Sequence, residues 1–144
     1  MKPEIHELRT RIDGLAGLVE SLGTASMNIY ESRKSLLLAK AWLGKVLAEL
    51  GEETPYKKDG NRKTVEDVEP TADKSKLDSI GIDWNEASLI EKIDWLREEI
   101  SKIDGFDSKQ MSGVAQEATN MSVRHLYEAR FHLGFALSQL KDQA

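Results

Sequence analysis

The 144-residue chain has no cysteine, three prolines and only 6% aromatic residues. Without cysteine there is no disulfide framework, no thiolate metal site and no cysteine nucleophile, which fits a reducing cytosol. Long apolar runs are also missing. No stretch approaches the roughly 18 apolar residues of a membrane span, and the start, MKPEIHELRTRID, is charged where a signal peptide would be apolar. The reading is a soluble, unexported protein with no membrane partner.

Net positive charge is lacking as well. With 25 acidic and 20 basic residues the formal charge is −5, the wrong sign for a coat on a nucleic-acid polymer, whose affinity comes largely from neutralised phosphates. A small phosphorylated ligand stays open, because a few local cations can hold it whatever the overall sign. Catalytic signatures are missing too: there is no Gly-x-Ser-x-Gly elbow, no phosphate-cradling Gly-rich loop and no His-Glu-x-x-His. His125 and His132 lie two helical turns apart. Glu128 follows His125 by three, but the Glu-x-x-His order of di-iron bundles is absent. The chain reads as a non-enzyme with no cofactor and no metal.

What is present is helical periodicity. Ile5, Leu8, Ile12, Leu15, Leu18 and Val19 follow the three-and-four spacing of one helix face from Pro3 to about Leu22, and Gly23 suits a stop. From Thr24 to Leu50 the stripe is Ala25, Ile29, Leu36, Ala39, Leu43, Leu47 and Leu50, closed by Gly51. Residues 51–79 lose the period, carry Pro55 and Pro70 and are dense in charge, which marks a linker or long exposed loop. A helix returns from Ala87 to Ile103 on Leu89, Ile93, Leu96, Ile100 and Ile103. A longer one is expected from about Ser108 to Lys141 on Ala115, Leu126, Ala129, Leu133, Leu137 and Leu140.

The two halves repeat. A shift of 88 residues lays Ile5, Leu8, Arg9 and Ile12 on Ile93, Leu96, Arg97 and Ile100, with Leu15 on Ile103. A shift of 90 lays Ser32, Leu36, Ala39, Leu43, Gly44, Leu47 and Leu50 on Ser122, Leu126, Ala129, Leu133, Gly134, Leu137 and Leu140. Any two amphipathic helices share leucines at this period. A shared Leu-Gly is more telling, since glycine inside a helix costs about 1 kcal/mol against alanine. The expected fold is all-α: a duplicated helix-pair unit of antiparallel helical hairpins packed as a bundle, with repeats at 1–51 and 87–144 and a linker at 52–86.

Several polar side chains match between the halves. Lys40 and Arg130 sit about 40° from the stripe centre at 100° per residue, where a cation faces either a groove or a salt-bridge partner. Lys34 and Arg124 project to the opposite side, toward solvent or a neighbouring subunit. Ser32 and Ser122 fall inside the stripes, so each hydroxyl serves either a bond back to its own helix or a ligand. Asn28, Tyr30 and Arg33 in one half, and Asn120, His125 and Tyr127 in the other, add stacking and hydrogen-bonding groups of the kind that hold a purine base and its phosphates. Trp42 lies about 120° from its stripe centre, which predicts a second buried face.

Two stretches, SRKSLLLAKAWLGKVLAELGEETPY at 32–56 and MSVRHLYEARFHLGFALSQL at 121–140, resemble the helical hairpin shared by phage anti-CBASS and Thoeris anti-defence proteins. The pattern is Ala-x-x-x-Leu-Gly-x-x-Leu, followed in the first copy by a Thr-Pro-Tyr loop; the Glu-Pro-Thr-Ala-Asp stretch at 69–73 is also similar to such proteins. The resemblance implies a homo-oligomeric sponge in the host bacterial cytoplasm. It would bind a cyclic nucleotide signal of anti-phage defence (a cyclic dinucleotide, cyclic trinucleotide or cyclic ADP-ribose type) without cleaving it. On that reading Lys40, Arg130, Arg33, Arg124, Ser32 and Ser122 contact phosphates, and Tyr30, Tyr127 or His125 stacks a base. The alternative is a helical protein–protein interaction or regulatory module of a phage.

Overall fold

The computed structural model describes residues 2–23, 26–51, 83–106 and 111–142. Four helices follow one another: α1 (Lys2–Glu20), α2 (Met27–Glu49), α3 (Leu89–Ser101) and α4 (Gly113–Asp142). The fold is all-helical, as expected. The loop expected at 51–79, with its Thr-Pro-Tyr and Glu-Pro-Thr-Ala-Asp stretches, lies outside the described residues apart from Gly51.

Helix ends follow local chemistry. Gly23 and Gly51 come after α1 and α2 with φ of +65° and +89°, the left-handed region that glycine enters without a Cβ penalty. Ser88 caps α3: its hydroxyl oxygen accepts from the Glu91 N–H at 3.2 Å and donates to the Glu91 carboxylate at 3.1 Å. This Ser-x-x-Glu box fixes the first turn. The last helix begins at Gly113 rather than near Ser108. Met111 and Ser112 are not helical, and the positive φ of Gly113, +59°, turns the chain into α4.

The long helices α2 and α4 pack along their stripes, and α1 and α3 each pack on the long helix that follows. Ser32 meets Ala129 while Ala39 meets Ser122, so contacts ascend one helix as they descend the other and the central pair is antiparallel. Asp13–Lys40 and Glu20–Arg33 give α1–α2 the same sense. One hydrophobic cluster joins all four helices. Every apolar residue of the α1/α3 match, from Ile5 and Ile93 to Leu15 and Ile103, is buried, as are Leu36/Leu126, Ala39/Ala129, Leu43/Leu133 and Leu47/Leu137. The repeats therefore share one core.

Of the stretch 52–86 expected as a linker or exposed loop, residues 83–86 are described. Residues 83–86 form a turn closed by the Glu86 and Ala87 N–H groups on the Asp83 carbonyl. Trp84 is buried there, edge-on to Trp95 with centroids 5.7 Å apart. An indole at that position adds a large apolar area to the core, so the second unit starts earlier than its helical period. Trp42 is half-buried at the margin of the core, with the Lys45 ammonium 5.5 Å from its ring centroid.

Candidate functional site

The stripe serines are structural in a way that their own helices do not reveal. Ser32 Oγ donates to the Ala129 carbonyl at 2.9 Å and Ser122 Oγ to the Ala39 carbonyl at 2.8 Å. Under the 90-residue shift each bond is the image of the other, so the pair marks a local two-fold axis between α2 and α4. Both serines are essentially fully buried, and their hydroxyls are committed to the partner helix. They do not bond back within their own helix, and they are not aimed at solvent.

The matched cations are pinned in the hairpins. Lys40 Nζ lies 2.9 Å from Asp13 Oδ1, with both side chains less than a tenth exposed, and Arg9 Nε donates to the Lys40 carbonyl at 3.3 Å. In the second half Arg130 Nη1 approaches Asp104 Oδ2 at 3.2 Å, though not at an angle that makes a hydrogen bond. The 88-residue shift puts Ser101 where Asp13 would be, so the second carboxylate comes instead from the turn after α3. Lys40 is thus held inside the α1–α2 hairpin and faces no groove. Arg97 packs over Gly134: a Cβ there would stand 3.4 Å from Arg97 Nη2, in ordinary contact with the guanidinium.

Asp104 is the described buried acid whose protonation shifts upward, because burial penalises its charge more than Arg130 favours it. The folded chain then binds that proton more tightly than the unfolded one. Asp104 accordingly withdraws stability as pH rises from its ordinary value, near 3.8, through its raised folded value. Asp104→Asn is expected to match the wild type in urea-unfolding midpoint near pH 3.5 and to equal or exceed it at pH 7. A midpoint at pH 7 well below wild type would show that the ion pair outweighs the burial cost.

The remaining selected residues lie toward the surface. Arg33 approaches Glu20 at 3.5 Å, and its buried Nε has no hydrogen-bond partner. Tyr30 is exposed. His125 Nδ1 is 2.9 Å from Glu128 Oε2, and Arg124 Nε is 3.8 Å from the other Glu128 oxygen. The Tyr127 ring is half-exposed, with the Arg130 guanidinium 5.6 Å from its centroid. Tyr127, Arg130 and Arg124 therefore lie toward the outer part of α4, whereas His125, about 160° round the helix from Tyr127 and mostly buried, and Ser32, Ser122 and Lys40 do not join them.

Phe131 and Phe135 were not among the residues selected from the sequence, yet both are about half-exposed or more on that same α4 surface, edge-to-face at 4.6 Å. Their signal was present as aromatics at i, i+4 and i+8 from Tyr127, off the leucine stripe. A separate cavity of about 350 Å³ lies between α1 and the end of α3, bordered by Glu4, Glu7, Arg11, Lys102 and Phe106. Two acids and two bases border it, and none of the site residues expected from the sequence lines it. No family model matches the chain, and no curated protein or solved structure is significantly similar to it. Among the described residues no helix is long and apolar enough to cross a membrane.

Proposed function

We propose that the protein is a phage immune-evasion factor that sequesters a cyclic nucleotide signal of anti-phage defence, acting as a homo-oligomer and releasing the ligand uncleaved. The observation that carries this reading is the accessible Tyr127 ring with the Arg130 guanidinium over it and Arg124 one turn away on the same helix. A half-exposed aromatic face stacks a base, and neighbouring guanidiniums meet phosphates. The resemblance of α2 and α4 to the anti-CBASS and Thoeris anti-defence hairpin supports it from the sequence. Capture requires affinity alone, so it makes no demand for an acid, a base or a metal.

The test is depletion. Purified protein is incubated with cyclic dinucleotides, cyclic trinucleotides and cyclic ADP-ribose isomers, free ligand is measured, and the protein is then heat-denatured. Stoichiometric loss followed by recovery of intact ligand is the expected result, and a modified product would instead make the protein an enzyme. Because stacking is worth about 1–3 kcal/mol per base, Tyr127→Ala is expected to weaken capture by roughly 5- to 150-fold. A second reading, a helical interaction module, is favoured by the exposed Phe131 and Phe135. Lack of depletion across the whole panel would select it.

A further inference from the structure

We infer that the outer face of α4 is a self-association surface on which a second copy of this chain docks antiparallel, Phe131 against Phe135. The inference deepens the homo-oligomeric part of the proposed function by naming the face, and it is argued from that face alone.

The exposed row of α4 runs Glu117, Asn120, Arg124, Tyr127, Phe131, Phe135, Ser138 and Asp142, one residue per helical turn at three-and-four spacing. The repeat supplies an internal control for what the fold needs there. The counterparts of Phe131 and Phe135 on α2 are Ala41 and Lys45, both exposed and both ordinary solvent-facing residues. The hairpin thus forms without phenylalanines at these positions, and their presence in α4 answers to something outside the fold.

Charge selects a second copy as the occupant. When two α4 helices lie antiparallel about an axis level with Leu133, Phe131 of each faces Phe135 of the other, and Arg124 of each faces Asp142 of the other. Tyr127 and Glu128 then meet the uncharged Gln139 and Ser138. No like charges are opposed in this register, and the same patch serves both partners, so the contact closes as a two-fold dimer. Phe131 and Phe135 offer roughly 100 Å² each, and Tyr127 adds the flank that faces the seam. Along a seam of about 27 Å from Arg124 to Asp142, the stems of the flanking residues bring the buried total near the roughly 1,000 Å² that a specific interface needs.

Tyr127 lies at the margin of this seam, on the side of Arg130, so dimerisation leaves the ring's outer flank open. Arg124 belongs both to the seam and to the proposed phosphate contacts, so the two readouts are separated by the Phe131 and Phe135 replacements for mass and Tyr127→Ala for capture.

The test is the mass of the full chain in solution by light scattering or sedimentation at tens of micromolar. The wild type is expected at twice the chain mass. Phe131→Ala with Phe135→Lys, which installs the α2 residues at their repeat positions, is expected to be monomeric with unchanged helicity. Arg124→Asp is expected to weaken the dimer at least tenfold, and Arg124→Asp with Asp142→Arg to restore it. A monomeric wild type, or an oligomer that survives the paired phenylalanine replacement, overturns the inference. Loss of ligand capture with the dimer intact counts against the sponge and leaves this face standing.

Discussion

Lys40→Met is expected to destabilise the protein by about 3–5 kcal/mol, the cost of leaving a buried charge without its partner. Asp13 is the charge concerned. It is about 5% exposed, its Oδ1 is 2.9 Å from Lys40 Nζ, and its Oδ2 has no hydrogen-bond partner. Methionine fills the volume of the lysine stem, so the loss isolates the ammonium. The companion variant decides the interpretation: Asp13→Leu together with Lys40→Met removes both charges and is expected to recover most of the loss, because a buried pair and its apolar replacement are often close in energy. Urea unfolding of the three proteins measures the cycle. A Lys40→Met variant that keeps its stability and loses only ligand would instead return Lys40 to the phosphate contacts that the resemblance implies.

The two hairpins differ at this point. Lys40 and Asp13 are both buried, whereas Arg130 is about one-third exposed and Asp104 buried. The second pair has solvent on its cationic side, and Arg130 is left to share its guanidinium between Asp104 and the Tyr127 ring. A duplicated unit has in this way kept a closed, structural ion pair in one half and an open one in the other. The open one adjoins the exposed aromatics. The asymmetry leaves a partly exposed cation beside an exposed ring on α4 and a buried cation on α2, although the leucine frameworks of the two helices are almost interchangeable.

How much of this was legible in the sequence depends on whether the physics was local. The helix faces were, because burial follows a 3.6-residue period, and so were the ends at Gly23 and Gly51 and the duplication itself. Trp84 was not, since a tryptophan between aspartate and asparagine has no periodic neighbours and reads as part of the charged linker. The Ser88–Glu91 cap was passed over, since the helix was expected from Ala87, and it explains why α3 starts at Leu89. Lys40 was correctly placed beside the stripe, but its partner is 27 residues away on another helix. Spacing along one helix does not distinguish a groove from an oppositely charged neighbour. Gly134 posed the same problem: close approach was expected there, and what approaches is Arg97 from the preceding helix.

The seam serines carry the second large effect. Ser32→Leu and Ser122→Leu are each expected to cost about 3 kcal/mol, because inserting a branched side chain where the helices touch forces backbone shifts that overpacked cores pay for at that scale. Ser32→Ala and Ser122→Ala are expected to cost about 1 kcal/mol each, the net worth of one hydrogen bond. Three kinds of role predict different patterns. A ligand-facing serine would tolerate leucine in the folding assay and fail in binding. A serine bonded to its own helix would gain stability as alanine, the better helix former. A serine clamped between α2 and α4 loses a little as alanine and much more as leucine, and by the local two-fold axis it does so alike at both positions. Equal penalties at 32 and 122 would also show that the duplication seen in the residues is a symmetry of the energetics, since each hydroxyl reaches the carbonyl of the alanine whose repeat mate accepts from the other serine.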